Sequence, residues 1–78
     1  MNIYIANLHF SIRKEEIRQL FEQFGSVKSI NLMIDKKTKK SRGFAFVEME
    51  NDVEANIAIA NCNHKEVRGR TLKVSPAK

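Results

Sequence analysis

Three side chains in one eight-residue stretch, Arg42, Phe44 and Phe46, are spaced two apart. In an extended strand successive side chains point to opposite faces. Arg42, Phe44, Phe46 and Glu48 therefore share one face, and Gly43, Ala45, Val47 and Met49 share the other. The second set is what a small core accepts. The first puts two aromatic rings beside a cation and an anion. A central strand can be buried on both faces in a parallel sheet, but a chain of 78 residues has too little mass to cover both. The Phe44/Phe46 face is therefore expected to stay open to water. Rings of this kind stack on flat heterocycles, and the guanidinium beside them pairs with phosphate, which is the chemistry of single-stranded nucleic-acid binding.

The charge distribution points the same way. The net charge is +5, with Lys+Arg 14 against Asp+Glu 9. Lys28, Lys36, Lys37, Lys39, Lys40 and Arg42 against Asp35 account for all of it, and the rest of the chain balances. A run of lysines alone reads as a solubilising loop, but this one leads directly into the aromatic strand. The remaining composition, 42% hydrophobic and 29% charged, is that of a soluble globular domain. A single domain over residues 1–78, with a stability of about 4–12 kcal/mol, is expected. No apolar run is long enough to span a bilayer, and no signal-peptide pattern precedes Ile3. The one cysteine, Cys62, excludes an internal disulfide and a cysteine-built zinc site, which fits a reducing, cytoplasmic setting. Glycine-rich phosphate cradles, Ser/His/Asp constellations and metal-ligand clusters are missing from the sequence. No catalysis, cofactor, metal or small-molecule substrate is expected.

The elements that must position the rings can be taken in order. Asn2–Ala6 alternates, with Ile3 and Ile5 on one face and Tyr4 on the other. After a connection from Leu8 to Arg13, the apolar stripe Ile17, Leu20, Phe21, Phe24 predicts a helix. Glu15 and Glu16 in its first turn complement the helix dipole, Arg13 is a poor cap, and Gly25 is the expected stop. Val27 to Ile34 reads as a second strand, with Ile30, Leu32 and Ile34 inward and Ser29, Asn31 and Met33 outward. Asp35 to Ser41 is the hairpin loop into the aromatic strand. Asn51 and Glu54 have capping-box spacing before a second helix, whose stripe is Ala55, Ala58, Ile59 and Cys62. Cys62 reads as core filler, and Ile57 falls off the stripe. A turn at Glu66–Arg70 leads to a last strand, Thr71–Ser75, with Leu72 and Val74 inward and Pro76 as its end. His9 and His64 read as surface residues, and His64 as sitting in a left-handed turn.

The octet Arg42-Gly43-Phe44-Ala45-Phe46-Val47-Glu48-Met49 resembles the longer ribonucleoprotein motif of the RNA-recognition motif (RRM) family, K/R-G-F/Y-G/A-F-V-x-F/Y. Only its last position departs, and Met49 there points inward. Ile3-Tyr4-Ile5-Ala6-Asn7-Leu8 resembles the shorter motif, whose second position is an outward aromatic. The resemblance runs from Ile3 to about Ala77. It departs at Arg13, where the family usually has Ser or Thr, and at Lys39 and His64, where relatives often have glycine. It implies an α+β, ferredoxin-like βαββαβ fold, a four-stranded antiparallel sheet with both helices on one face. The small single-RRM proteins of bacteria, cyanobacteria included, are the most similar kind. The chain is equally readable as one domain of a longer protein.

For function, the resemblance implies that Tyr4 and Phe46 stack on successive bases, that Phe44 packs between their sugars, and that Arg42 pairs with a phosphate. Lys73, Asn31, Glu48 and the backbone from Ser75 to Ala77 would meet base edges. Met33 would lie against a base or sugar, and Lys39 and Lys40 would hold phosphates. A monomeric module for single-stranded RNA, with single-stranded DNA also admissible, is expected. It should bind sites of about 2–4 nucleotides with roughly micromolar affinity. The alternative is an RRM-like protein-interaction domain. Such relatives usually lose the sheet aromatics or carry an Arg-x-Phe motif, and Arg68-Gly69-Arg70 lacks the phenylalanine.

Overall fold

Alternating strands and two helical segments fold as β1 (Asn2–Ala6), α1 (Lys14–Glu22), β2 (Ser29–Ile34), β3 (Ser41–Glu48), α2 (Asp52–Cys62), a two-residue-per-strand hairpin β4 (Glu66–Val67) and β5 (Arg70–Thr71), and β6 (Lys73–Ala77). The computed structural model describes residues 1–77; Lys78, the last residue of the predicted domain, lies outside the described residues. Four strands pair antiparallel in the order β2-β3-β1-β6. The pairing puts the two strands with outward aromatics, β1 and β3, side by side in the centre. This is the predicted α+β, ferredoxin-like arrangement. Among the described residues, no helix is long and apolar enough to cross a membrane.

The core fills the helix-facing side. Ile3, Ile5, Ala45, Val47, Leu72 and Val74 from the sheet side pack with Ile17 and Phe21 of α1 and Ala55, Ala58 and Cys62 of α2. Met49 is fully buried, so its departure from the aromatic motif position is absorbed by the core. Cys62 is likewise buried, and burial pushes its thiol pKa up, as suits inert filler. Leu20, Phe24 and Ile59 complete the two helix stripes as partly buried residues.

Several boundaries differ from expectation, each for a physical reason. α1 ends at Glu22, before Phe24, and the chain turns there through Phe24 N–H donating to Phe21 O. Gly25 is not the left-handed stop: only Gly43 and Gly69 among the glycines have positive φ. Gly25 is small for packing, since a Cβ there would lie 2.6 Å from the Cβ of Glu54. Asn51 caps α2 by accepting from the Glu54 N–H at 2.9 Å, but Glu54 does not complete the box; its carboxylate accepts from Ser26 N–H at 3.3 Å instead. Arg13 makes no side-chain cap. The last strand is Lys73–Ala77 rather than Thr71–Ser75, and Pro76 lies inside it. β6 is an edge of the sheet, where a missing N–H is tolerated.

β2 starts at Ser29 rather than Val27, and its end carries the largest correction. Leu32 pairs with Ala45 but Ile34 with Ser41, so β3 passes three residues, Arg42 to Phe44, while β2 passes only Met33. The bulge contains Gly43 at φ +95, and it turns Ile34 out of the core to 48% exposure.

Candidate nucleic-acid interface

Antiparallel register arranges the outward residues in rows. Asn31 on β2, Phe46 on β3, Tyr4 on β1 and Ser75 on β6 lie directly across from one another. The next row holds Phe44, Ala6 and Lys73. The row on the other side holds Ser29, Glu48, Asn2 and Ala77. Tyr4, Phe44, Phe46, Asn31, Glu48, Lys73, Ser75 and Ala77 are thereby brought onto one surface, and Arg42, unpaired in the bulge, joins them through its approach to Phe44.

At its centre are three partly exposed rings. The Tyr4 centroid lies 5.4 Å from Phe46 and 6.2 Å from Phe44, tilted by 48° and 42°. Phe44 and Phe46 meet edge to face at 6.3 Å and 87°. None of the three pairs is parallel, so the rings do not use up their faces on one another. The Arg42 guanidinium carbon stands 5.9 Å from the Phe44 centroid, a cation at the rim of an apolar platform.

Beside the platform, Asn2, Asn31, Phe46, Glu48 and Ala77 line a shallow groove of about 260 Å³. One of its walls is already engaged. Glu48 lies 3.6 Å from Lys28 Nζ and accepts from Ser29 Oγ at 3.4 Å. Glu48, then Glu50, hold the Lys28 ammonium pKa above its ordinary value.

Three predicted residues stand apart from the rings. Met33 is half-buried within the bulged stretch of β2. Lys39 and Lys40 belong to the β2–β3 loop, where they border a second groove at the edge of the sheet. There Lys40 Nζ sits 4.7 Å over the ring of Phe10, not over Phe44 or Phe46. Lys39 adopts the left-handed conformation, φ 64, that a glycine would favour, and His64 does so at φ 70.

Phe10 and Asn2 line the two grooves and His9 stacks on Phe10, and sequence reasoning placed none of the three at the candidate interface. Phe10 and His9 fall in an irregular connection without periodicity. Phe10 is 52% exposed, and half-buried His9 stacks on it at 4.4 Å. Asn2 could have been found from its spacing with Tyr4, since i and i+2 share a strand face.

The sequence profile described as "RNA recognition motif" matches residues 3–73. The chain belongs to the RNA recognition motif family. RbpF of Nostoc sp. is 45% identical over 78 residues, covering 100% of this chain and 74% of RbpF. The crystal structure of RNA-binding protein PG1 superposes with a TM-score of 0.92 at 43% identity, covering 99% of this chain and 93% of PG1. The Rna15 RRM with bound RNA (GU) superposes with a TM-score of 0.91 at 26% identity, covering 97% of this chain and 81% of that one. Against this RRM framework, the tilted ring triad and its flanking cation stand where both sequence motifs locate them.

Proposed function

We propose that residues 1–78 act as one monomeric, cytoplasmic, non-catalytic module that binds single-stranded RNA on the open face of its sheet. The observation that carries this reading is the Tyr4/Phe44/Phe46 triad, partly exposed and free of parallel self-stacking. Tyr4 and Phe46 each take the face of one base, and Phe44 packs against the sugars between them. Arg42, at the rim of Phe44, pairs with the phosphate. Asn31, Glu48, Lys73 and the Ser75–Ala77 backbone lie in the flanking rows, within reach of base edges. Met33 borders the sugar path, while Lys39 and Lys40 supply phosphate contacts at the sheet edge. Support also comes from membership of the RNA recognition motif family and from the Rna15 RRM, solved with RNA bound.

Each stacked base is worth about 1–3 kcal/mol by substitution, and a site this small is expected to bind with roughly micromolar affinity. The rings accept single-stranded DNA as well, because stacking does not sense the 2′-hydroxyl. The test is a backbone-amide NMR titration with a degenerate single-stranded RNA hexamer pool. Shifts should concentrate at Tyr4, Phe44, Phe46 and the 36–40 loop, and Phe44→Ala with Phe46→Ala should largely abolish them. Shifts confined to the helices around the exposed Ile57 would replace this reading with a protein-interaction surface.

A further inference from the structure

The sheet platform leaves one aromatic unexplained. Phe10, in the loop between β1 and α1, is 52% exposed and shares one groove with Ile34, itself 48% exposed; apolar side chains exposed together, rather than singly, mark a binding groove. One face of the ring is backed by His9, centroids 4.4 Å apart and planes 26° apart. The Lys40 ammonium lies 4.7 Å from its centroid, an exposed cation rather than packed core. Phe10 opens onto a groove of about 440 Å³, bordered by Leu32, the exposed Ile34, Lys39 and Arg13. The volume falls in the range of small-ligand sites, roughly 300–1,000 Å³. Its rim holds apolar side chains for a flat ring and cations for an anion.

The loop that presents Phe10 is braced. Its carbonyl accepts from Ser41 N–H at 2.9 Å, which ties it to the first residue of β3. Next to it, the Ser11 hydroxyl lies 2.8 Å from His9 Nδ1 and accepts from Arg68 at 3.4 Å. Arg68 in turn donates to both oxygens of Glu16 at 2.8 and 2.7 Å. The bond to Ser41 also sets the path: Arg42 follows Ser41 directly and leads to Phe44.

We propose that Phe10 is a further base-stacking subsite, with Lys39 and Lys40 on the adjoining phosphates, so that the bound strand runs past the sheet platform and over the edge at Ser41. A base entering the groove displaces the Lys40 ammonium from the ring, stacks on Phe10 with Ile34 and Leu32 at its edge, and leaves Lys40 to pair with phosphate. This rests on the RNA-binding reading of the sheet and lengthens it: the 2–4 nucleotides of the platform become the inner part of a longer site.

The experiment compares fluorescence anisotropy titrations of the full chain with degenerate RNA trimer and octamer pools at one fixed salt concentration. Wild type should bind the octamer pool more tightly than the trimer pool. Phe10→Ala should weaken octamer binding about tenfold, within the range a lost stacking contact produces, and leave trimer binding and the unfolding temperature unchanged. Phe10→Tyr should restore octamer binding. Octamer affinity untouched by Phe10→Ala, or an equal loss on both pools, would overturn the subsite. Phe46→Ala separates the two readings, because it should weaken both pools. If it weakens both while Phe10→Ala does nothing, the extension fails and the platform stands. If it weakens neither, the platform reading itself fails, and the extension with it.

Discussion

Four lysines, at 36, 37, 39 and 40, crowd one short loop and repel one another, and a single carboxylate shapes the backbone beneath them. Asp35 Oδ1 accepts from Lys37 N–H at 2.8 Å and from Thr38 N–H at 3.2 Å, the Asx arrangement that mimics a backbone turn. The two amides, more than any nearby charge, hold the Asp35 carboxyl below its ordinary value. Because the folded value is the lower one, this contribution is complete above the ordinary value and disappears as pH falls through the folded value. The Lys37 and Thr38 amide shifts, followed by NMR from neutral pH downward, should therefore hold steady and then move together at a midpoint below 3.8. Asp35→Asn, which keeps an acceptor but loses the titration, should flatten that step. A midpoint at or above 3.8 would mean that the loop geometry does not depend on this carboxylate.

Among the elements, the β2–β3 pair sets the shape of the binding edge, and Gly43 sets the pair. At φ +95 it occupies a conformation that costs an L side chain about 1–2 kcal/mol, although a Cβ there would meet nothing nearer than Leu8 O at 3.8 Å. Gly43→Ala should therefore destabilise through backbone strain alone and lower Tm by about 4–8 °C per kcal/mol lost, a shift readable by circular dichroism. An unchanged Tm would show that the bulge relaxes freely. This bulge also marks where the sequence stops being legible. Strict alternation placed Tyr4, Phe44 and Phe46 on one face and Ile3, Ile5, Ala45 and Val47 on the other, and the register keeps that pattern. Carried on through β2, the same alternation buried Ile34, because period-two reasoning has no term for extra residues on the partner strand. Gly25 and Pro76 misled for a related reason. Their local preferences pointed to a helix stop and a strand end, whereas a neighbour's proximity (Glu54) and an edge position decided their roles. The rings of the site were readable from spacing. Phe10 was not, since its exposure and its companions Lys40 and His9 arise only when the loops come together.

Over the whole molecule, two forces of different reach lie side by side, the rings at the centre of the sheet and the loop cations at its β2–β3 end. The rings act at contact distance and are indifferent to salt, while the cations of residues 28–42 carry the entire net charge of +5 and attract phosphate through solvent. Not all of that charge is available: Lys28 is engaged by Glu48 and Glu50 at 3.6 and 3.4 Å. Arg42, Lys39 and Lys40 are the cations placed by Phe44 and the Phe10 groove. Each phosphate neutralised on a single strand contributes about −0.7 to the slope of log K against log salt. Three such contacts give a slope of about −2, or roughly a 20-fold loss of affinity between 50 and 200 mM salt. Titrations of wild type at several salt concentrations should show that slope. Lys39→Ala with Lys40→Ala should bring it to about −0.7, the share left to Arg42, while Phe46→Ala should lower affinity at every salt concentration and leave the slope as it was. A slope near zero would mean that the basic loop only solubilises the chain. A slope several-fold steeper would mean that cations beyond these three, among them Arg13, Lys14 and Lys73, hold the strand as well.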